Sequence, residues 1–109
     1  MKRIVIESPY AGDIERNEAY ARRAMKHALS KHEAPFLSHM LYTQPGVLND
    51  LDPRERALGI TAGFAWGCHA DLIAVYCDYG ISNGMLSGIT NGIRCKTPIV
   101  FRMIGKNPR

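Results

Sequence analysis

Several things are scarce in this chain of 109 residues, and each scarcity closes off a class of function. The cysteines are three, Cys68, Cys77 and Cys95, widely spaced, with no CxxC and no His pair at zinc-ligand distance. That pattern argues against a zinc site and predicts buried free thiols. No P-loop, no Ser-His-Asp order and no metal-binding cluster appears, so neither a metal nor another cofactor is expected. Long apolar runs are missing too. The opening MKRIVIESPY is interrupted by Glu7 before it reaches the length of a signal peptide. Leu58 to Cys77 is nearly free of charge, but His69 and Asp71 lie inside it and Gly59, Gly63 and Gly67 dilute its hydropathy. No membrane association is expected, and a cytoplasmic location follows. Basic residues exceed acidic ones by a net charge of +4, yet much of the excess sits near the ends, in Lys2, Arg3, Arg94, Lys96, Arg102, Lys106 and Arg109. Without a basic stripe interleaved with aromatics, nucleic acid is disfavoured and a small anionic ligand favoured. Acidic residues stop altogether at Asp78.

What is present is an ordinary globular composition, 46% apolar and 22% charged, of a length that suits a single domain over residues 1–109. Arg3 to Glu7 (RIVIE) reads as a short buried strand ending at Ser8-Pro9. From Asp13, a candidate N-cap, to about Lys31, small or apolar residues at Ile14, Ala21, Ala24, Met25, Ala28 and Leu29 define one face of an amphipathic helix. Pro35 to Tyr42 has the length and apolarity of a second strand, broken by Gln44-Pro45-Gly46. Asp52, Pro53 and Glu55 supply an N-cap, a first-turn proline and an N3 carboxylate for a helix running to about Ala70. Gly59, Gly63 and Gly67 clear one face of it, predicting a packing groove for a neighbouring helix or a second subunit. Asp71 to Cys77 reads as a central strand, Ser82 to Arg94 as a helix and Pro98 to Met103 as a final strand. This alternation predicts an α/β fold: a small flavodoxin- or Rossmann-like parallel sheet of about four strands with helices on both faces.

In such sheets ligands sit beyond the carboxyl ends of the strands. Three loops qualify. Ser8, Pro9, Tyr10, Ala11, Gly12 and Asp13, with Arg16 one turn into the helix, offer a hydroxyl, a ring, backbone donors and a cation that suit a phosphate. The segment from His39 to Gly46 offers His39, Tyr42, Thr43 and Gln44 to contact a base edge or stack on it. Strand alternation there puts His39 on the face opposite Ser38, Met40 and Tyr42, so it reads as a packed or edge histidine. The third loop runs from Asp78 through Gly80, Ser82, Asn83, Gly84 and Met85 into a helix. Asp78, at the strand end, is the candidate for accepting from sugar hydroxyls or acting as a base, against an ordinary capping role. Phe64 and Trp66 are expected in the core or an interface, His27 and His32 on a solvated face, and Arg54, Glu55 and Arg56 at a solvated helix start.

The phrases ESPYAGD, LYTQPGVL, RALGITAGFAWG and DYGISNGM, with this order of elements, resemble the nucleoside 2-deoxyribosyltransferase-like superfamily and, more closely, small phage-type members of it. The resemblance spans nearly the whole chain. It implies a nucleoside- or nucleotide-like ligand, a homodimer or higher homo-oligomer with pockets near subunit interfaces, and, for a phage-encoded chain, residence in the host cytoplasm. In the superfamily's enzymes a glutamate just after the Gly-Met pair attacks the anomeric carbon. Here that position is Leu86. Two readings follow: a protein that binds a nucleotide or nucleotide-derived signal without turnover, as a phage anti-defence sponge would, or an N-glycosidase or deoxyribosyltransferase using a relocated carboxylate from Asp78, Glu7 or Glu55. A subunit-interaction module using the glycine-faced helix is a third.

Overall fold

A computed structural model describes residues 1–106, so Arg109 lies outside the described residues. The elements follow in the order β1 (Lys2–Glu7), α1 (Ile14–Ser30), β2 (Glu33–Phe36), α2 (Ser38–Leu41), α3 (Pro53–His69), β3 (Leu72–Tyr76), α4 (Asn83–Arg94) and β4 (Ile99–Arg102). The four strands form one parallel sheet in the order β2-β1-β3-β4. This is the flavodoxin-like α/β arrangement that the alternation predicts.

The inner strands are apolar throughout because both their faces are covered. On one face Ile4, Ile6, Leu72, Ala74 and Tyr76 meet Tyr20, Ala21, Ala24 and Ala28 of α1. On the other, Val5, Ile73 and Val75 meet Met85 and Ile89 of α4. The alanines of α1 bring that helix close to the sheet. Gly88 and Gly92 do the same for α4, since a methyl group at Gly92 would lie 2.3 Å from Ile73 Cδ1.

Helix starts follow the local chemistry. Asp13 accepts from the Arg16 N–H (3.1 Å) and Asp52 from the Arg54 N–H (2.9 Å), while Ser82 accepts from the Met85 N–H (3.2 Å). The Glu55 carboxylate does not turn back on its own helix cap; it accepts from the Asn49 N–H at 3.1 Å and so pins the preceding loop.

Three expectations are corrected. The second strand is Glu33–Phe36 rather than Pro35 to Tyr42, and α2 takes up the rest. Pairing with β1 ends at Val5↔Phe36, Pro35 is tolerated because β2 is an edge strand, and Leu37 then drops into the core. Cys68 and Cys95 form a disulfide between the end of α3 and the C-cap of α4, with 5.2 Å between their Cα atoms; only Cys77 is free. Nothing in a spacing of 27 residues announces that two helix ends will meet. In a reducing compartment the same two residues stand as adjacent thiols. His27 is half-buried rather than freely solvated; its Nδ1 shares a hydrogen bond with the buried Tyr76 hydroxyl at 2.8 Å.

The glycine face of α3 is filled within the chain. A Cβ at Gly59 would lie 3.2 Å from Leu48, at Gly63 3.1 Å from Ser38 and at Gly67 3.3 Å from Asn91 of α4. Trp66 is 54% exposed, stacks on Phe36 at 4.9 Å and donates to the Tyr42 hydroxyl. No helix among the described residues is long and apolar enough to cross a membrane.

Candidate functional site

The chain leaves β1 for β2 on one side of the sheet and crosses back to β3 on the other, so the direction of winding reverses between β1 and β3. Loops diverge at such a point and leave a crevice beyond the strand ends. A cavity of about 350 Å³ lies there, a volume in the range of small-molecule sites.

Its floor is Glu7 and Ser8, where β1 ends, and Tyr10 and Ala11 follow in the loop. Ser38 and His39 of α2 and Asp50 form a second side; Arg56, Ile60, Gly63 and Phe64 of α3 form a third. Ser82, Asn83, Gly84 and Met85 close it with the N-terminus of α4, whose first backbone N–H groups favour negative charge. A smaller annexe of about 60 Å³ continues from His39, Asp50 and Arg56 toward Tyr42, Leu48 and Glu55.

Two cavity side chains are displaced from their ordinary protonation. Burial pushes the Glu7 carboxyl up to about 8, so it is neutral at pH 7. It lies so close to α4 that a Cβ at Gly88 would come within 2.2 Å of Oε2. Burial also pulls His39 down to about 4, against smaller opposing effects of Ser8 and Asp50. The neutral imidazole shares a 3.1 Å hydrogen bond with the Ser8 hydroxyl through Nε2 and stacks on Tyr10 at 5.0 Å. Thr43 donates to the His39 carbonyl, and Nδ1 is buried without a partner among the described residues.

Of the residues singled out from the sequence, Ser8, Tyr10, Ala11, Ser82, Asn83, Gly84 and Met85 line the cavity. Pro9, Gly12, Asp13, Arg16, Asp78 and Gly80 do not. Asp78 faces the α1 side and is fully engaged. Its carboxylate accepts from the Tyr20 hydroxyl (2.6 Å) and from the N–H groups of Ile104 (2.8 Å) and Gly105 (2.7 Å). Burial would raise this carboxyl, but those donors outweigh it and hold it below the usual carboxylate range. The residue expected as a sugar acceptor or base thus ties the C-terminal segment to α1. Arg16 lies over the Tyr79 ring (4.2 Å) and donates to Asn17 Oδ1 (3.0 Å through Nη2). Tyr42 lines only the annexe, and Gln44 lies beyond it, donating to the Met40 carbonyl. Leu86 is 54% exposed and lines a shallow groove between α3 and α4 rather than the cavity.

Sequence reasoning offered His39 as a base contact but read it as a packed or edge histidine rather than a catalytic one, took Arg56 as solvated, and gave Ser38, Asp50 and Ile60 no role. Their place on the cavity depends on how α2 and α3 fold back over the sheet. Asn17 was also unannounced: fully buried, it donates to the carbonyls of Tyr10 (2.8 Å) and Ala11 (3.2 Å) and fixes the first loop.

A parallel sheet with a lined crevice at its switch point defines a small flavodoxin-like α/β protein. Within that class the chain belongs to the family of a domain of unknown function (DUF7768), whose profile matches residues 2–102. No curated protein matches it. Among solved structures, the 2-deoxyribosyltransferase from the psychrotolerant bacterium Bacillus psychrosaccharolyticus superposes with a TM-score of 0.72 at 12% identity. That match covers 93% of this chain and 72% of the other, and at this identity the likeness is one of fold.

Proposed function

We propose that the switch-point cavity binds a nucleoside or nucleotide and holds it without turnover. The observation that carries this reading is the state of the cavity floor. Glu7, the carboxyl at the end of β1, is protonated at neutral pH and unfit to attack an anomeric carbon, while Leu86 stands outside. Around that floor the ring of Tyr10 suits a base, and the N-terminus of α4 with the Arg56 guanidinium suits a phosphate. The fold shared with a deoxyribosyltransferase supports a nucleoside-like ligand. Sequestering a nucleotide-derived host signal is the use that the phage-type resemblance suggests. A homodimer would use the groove between α3 and α4, which adjoins the cavity at Ile60, Phe64 and Asn83.

The test is mass spectrometry of the protein incubated with nucleosides, nucleotides, cyclic nucleotides and ADP-ribose derivatives, examined native and then denatured. An unchanged ligand released only on denaturation is expected, and Tyr10→Ala or Arg56→Ala should abolish its retention. One observation favours a second reading, an N-glycosidase: a neutral Glu7 can donate its proton to a departing base, with Asp50 in the same cavity as the second carboxylate. A free base accumulating with time would establish that reading and end the first.

A further inference from the structure

Glu7 is an unusual residue to find at the end of an inner strand. Its carboxyl is pressed against the α4 backbone at Gly88, with no cation paired to it and no hydrogen-bond donor aimed at it among the described residues. Its free atoms face the cavity beside Ser8 and Met85. A largely buried carboxyl that meets water only through the cavity, with no cation or donor to stabilise its charge, is pushed toward its protonated form. A neutral carboxyl has one O–H donor beside one carbonyl acceptor, and this pair fits a partner that presents an acceptor beside a donor.

We propose that Glu7 reads the base of the ligand as a neutral carboxyl, pairing with an edge that presents an acceptor beside a donor, as adenine and cytosine do with a ring nitrogen beside an exocyclic amine. This rests on the nucleotide reading above. The O–H donates to the basic ring nitrogen and the carbonyl oxygen accepts from the amine, giving two hydrogen bonds in one plane. Ionisation of Glu7 reverses the pattern. A carboxylate only accepts, so it repels the lone pair of the ring nitrogen and suits instead the two adjacent N–H donors of guanine. Ionisation of Glu7 therefore weakens adenine and cytosine relative to guanine.

Other groups around the cavity bear on the pH dependence. Tyr10 faces it from the first loop, His39 from α2, Asp50 from the loop before α3 and Arg56 from α3; α4 contributes no titratable side chain. His39 has shed its proton well below neutrality, so it adds no change above pH 6. Glu7→Gln separates Glu7 from Tyr10, Asp50 and Arg56. The amide keeps a donor beside an acceptor in the same shape and cannot ionise.

The experiment is titration calorimetry of the full chain with adenosine, cytidine and guanosine monophosphates between pH 6 and 10, using wild type, Glu7→Gln and Glu7→Ala, with circular dichroism to confirm folding. In the wild type, affinity for the adenine and cytosine nucleotides should fall about tenfold for each pH unit above about 8, while guanosine monophosphate holds or gains. Glu7→Gln should bind the adenine nucleotide with a flat profile, and Glu7→Ala should lose about tenfold at neutral pH. Binding with the same profile in the wild type and in Glu7→Gln would overturn the role of Glu7 and leave the nucleotide reading standing. Absence of binding by any nucleotide at any pH would overturn both.

Discussion

Replacing Glu7 by glutamine should change how the stability of this protein depends on pH, ligand or no ligand. The Glu7 carboxyl has an ordinary value of 4.5 and stands at about 8 in the fold. Between those values the folded chain holds a proton that the unfolded chain has released, so stability falls as pH rises across that window. His39 works in the opposite sense. Its imidazole moves from 6.5 to about 4, so between those values the unfolded chain holds the extra proton and stability rises with pH. The two effects nearly cancel up to pH 6.5, and from there to pH 8 Glu7 acts alone. One and a half pH units at about 1.4 kcal/mol each give a loss of at most about 2 kcal/mol, trimmed by water in the open cavity. Glu7→Gln removes the falling limb and exposes the rising one, a gain of at most about 3 kcal/mol between pH 4 and 6.5 followed by a plateau. Urea denaturation of both proteins at half-unit steps from pH 5 to 9 measures this directly. If the difference between the two stays constant across pH 6.5 to 8, Glu7 is not held neutral, and the account of the cavity floor fails with it.

Other perturbations test the frame around the cavity. Tyr20→Phe removes the hydroxyl that donates to the Asp78 carboxylate and accepts from its N–H, and should cost about 1–3 kcal/mol in chemical denaturation. Arg102 binds Glu33 through two nitrogens at 2.7 and 2.6 Å and also donates to Tyr76, so Arg102→Met leaves a buried carboxylate unpaired and should cost about 3–5 kcal/mol. The Arg102 guanidinium also holds the Glu33 carboxyl below its usual range, outweighing its burial; protonating it as pH falls below that range should erode stability in the wild type, and Arg102→Met should lack that acid limb. Cys68→Ala frees a loop of 27 residues and should lower stability by about 3 kcal/mol under oxidising conditions; an equal loss in reductant would show that packing, not the bond, is responsible.

Much of the fold was legible because it rests on local signals. The apolar runs RIVIE and DLIAVYC mark strands buried on both faces, and Asp13 and the pair Asp52-Pro53 mark helix starts; each depends on neighbours within a few residues. Where tertiary context decides, the reading slipped. PFLSHMLY has strand-like apolarity, but Leu37 takes the core position and pairing with β1 runs out at Phe36, so the remainder turns into a short helix. That change carries His39 onto the cavity wall.

By itself the sequence determined the alternation of strands and helices and the parallel sheet, because hydrophobic period, caps and turns are written in adjacent residues. Only the tertiary structure decided what each polar residue does. Asp78 and Glu7 are both acids at or near the ends of inner strands, and no local feature separates them. Three donors brought in from α1 and the C-terminal segment hold Asp78 as a charged tie, whereas the close approach of Gly88 leaves Glu7 unpaired, neutral and facing the cavity. Protonation follows from solvent and partners that lie far away along the chain, and those exist only once the chain has folded.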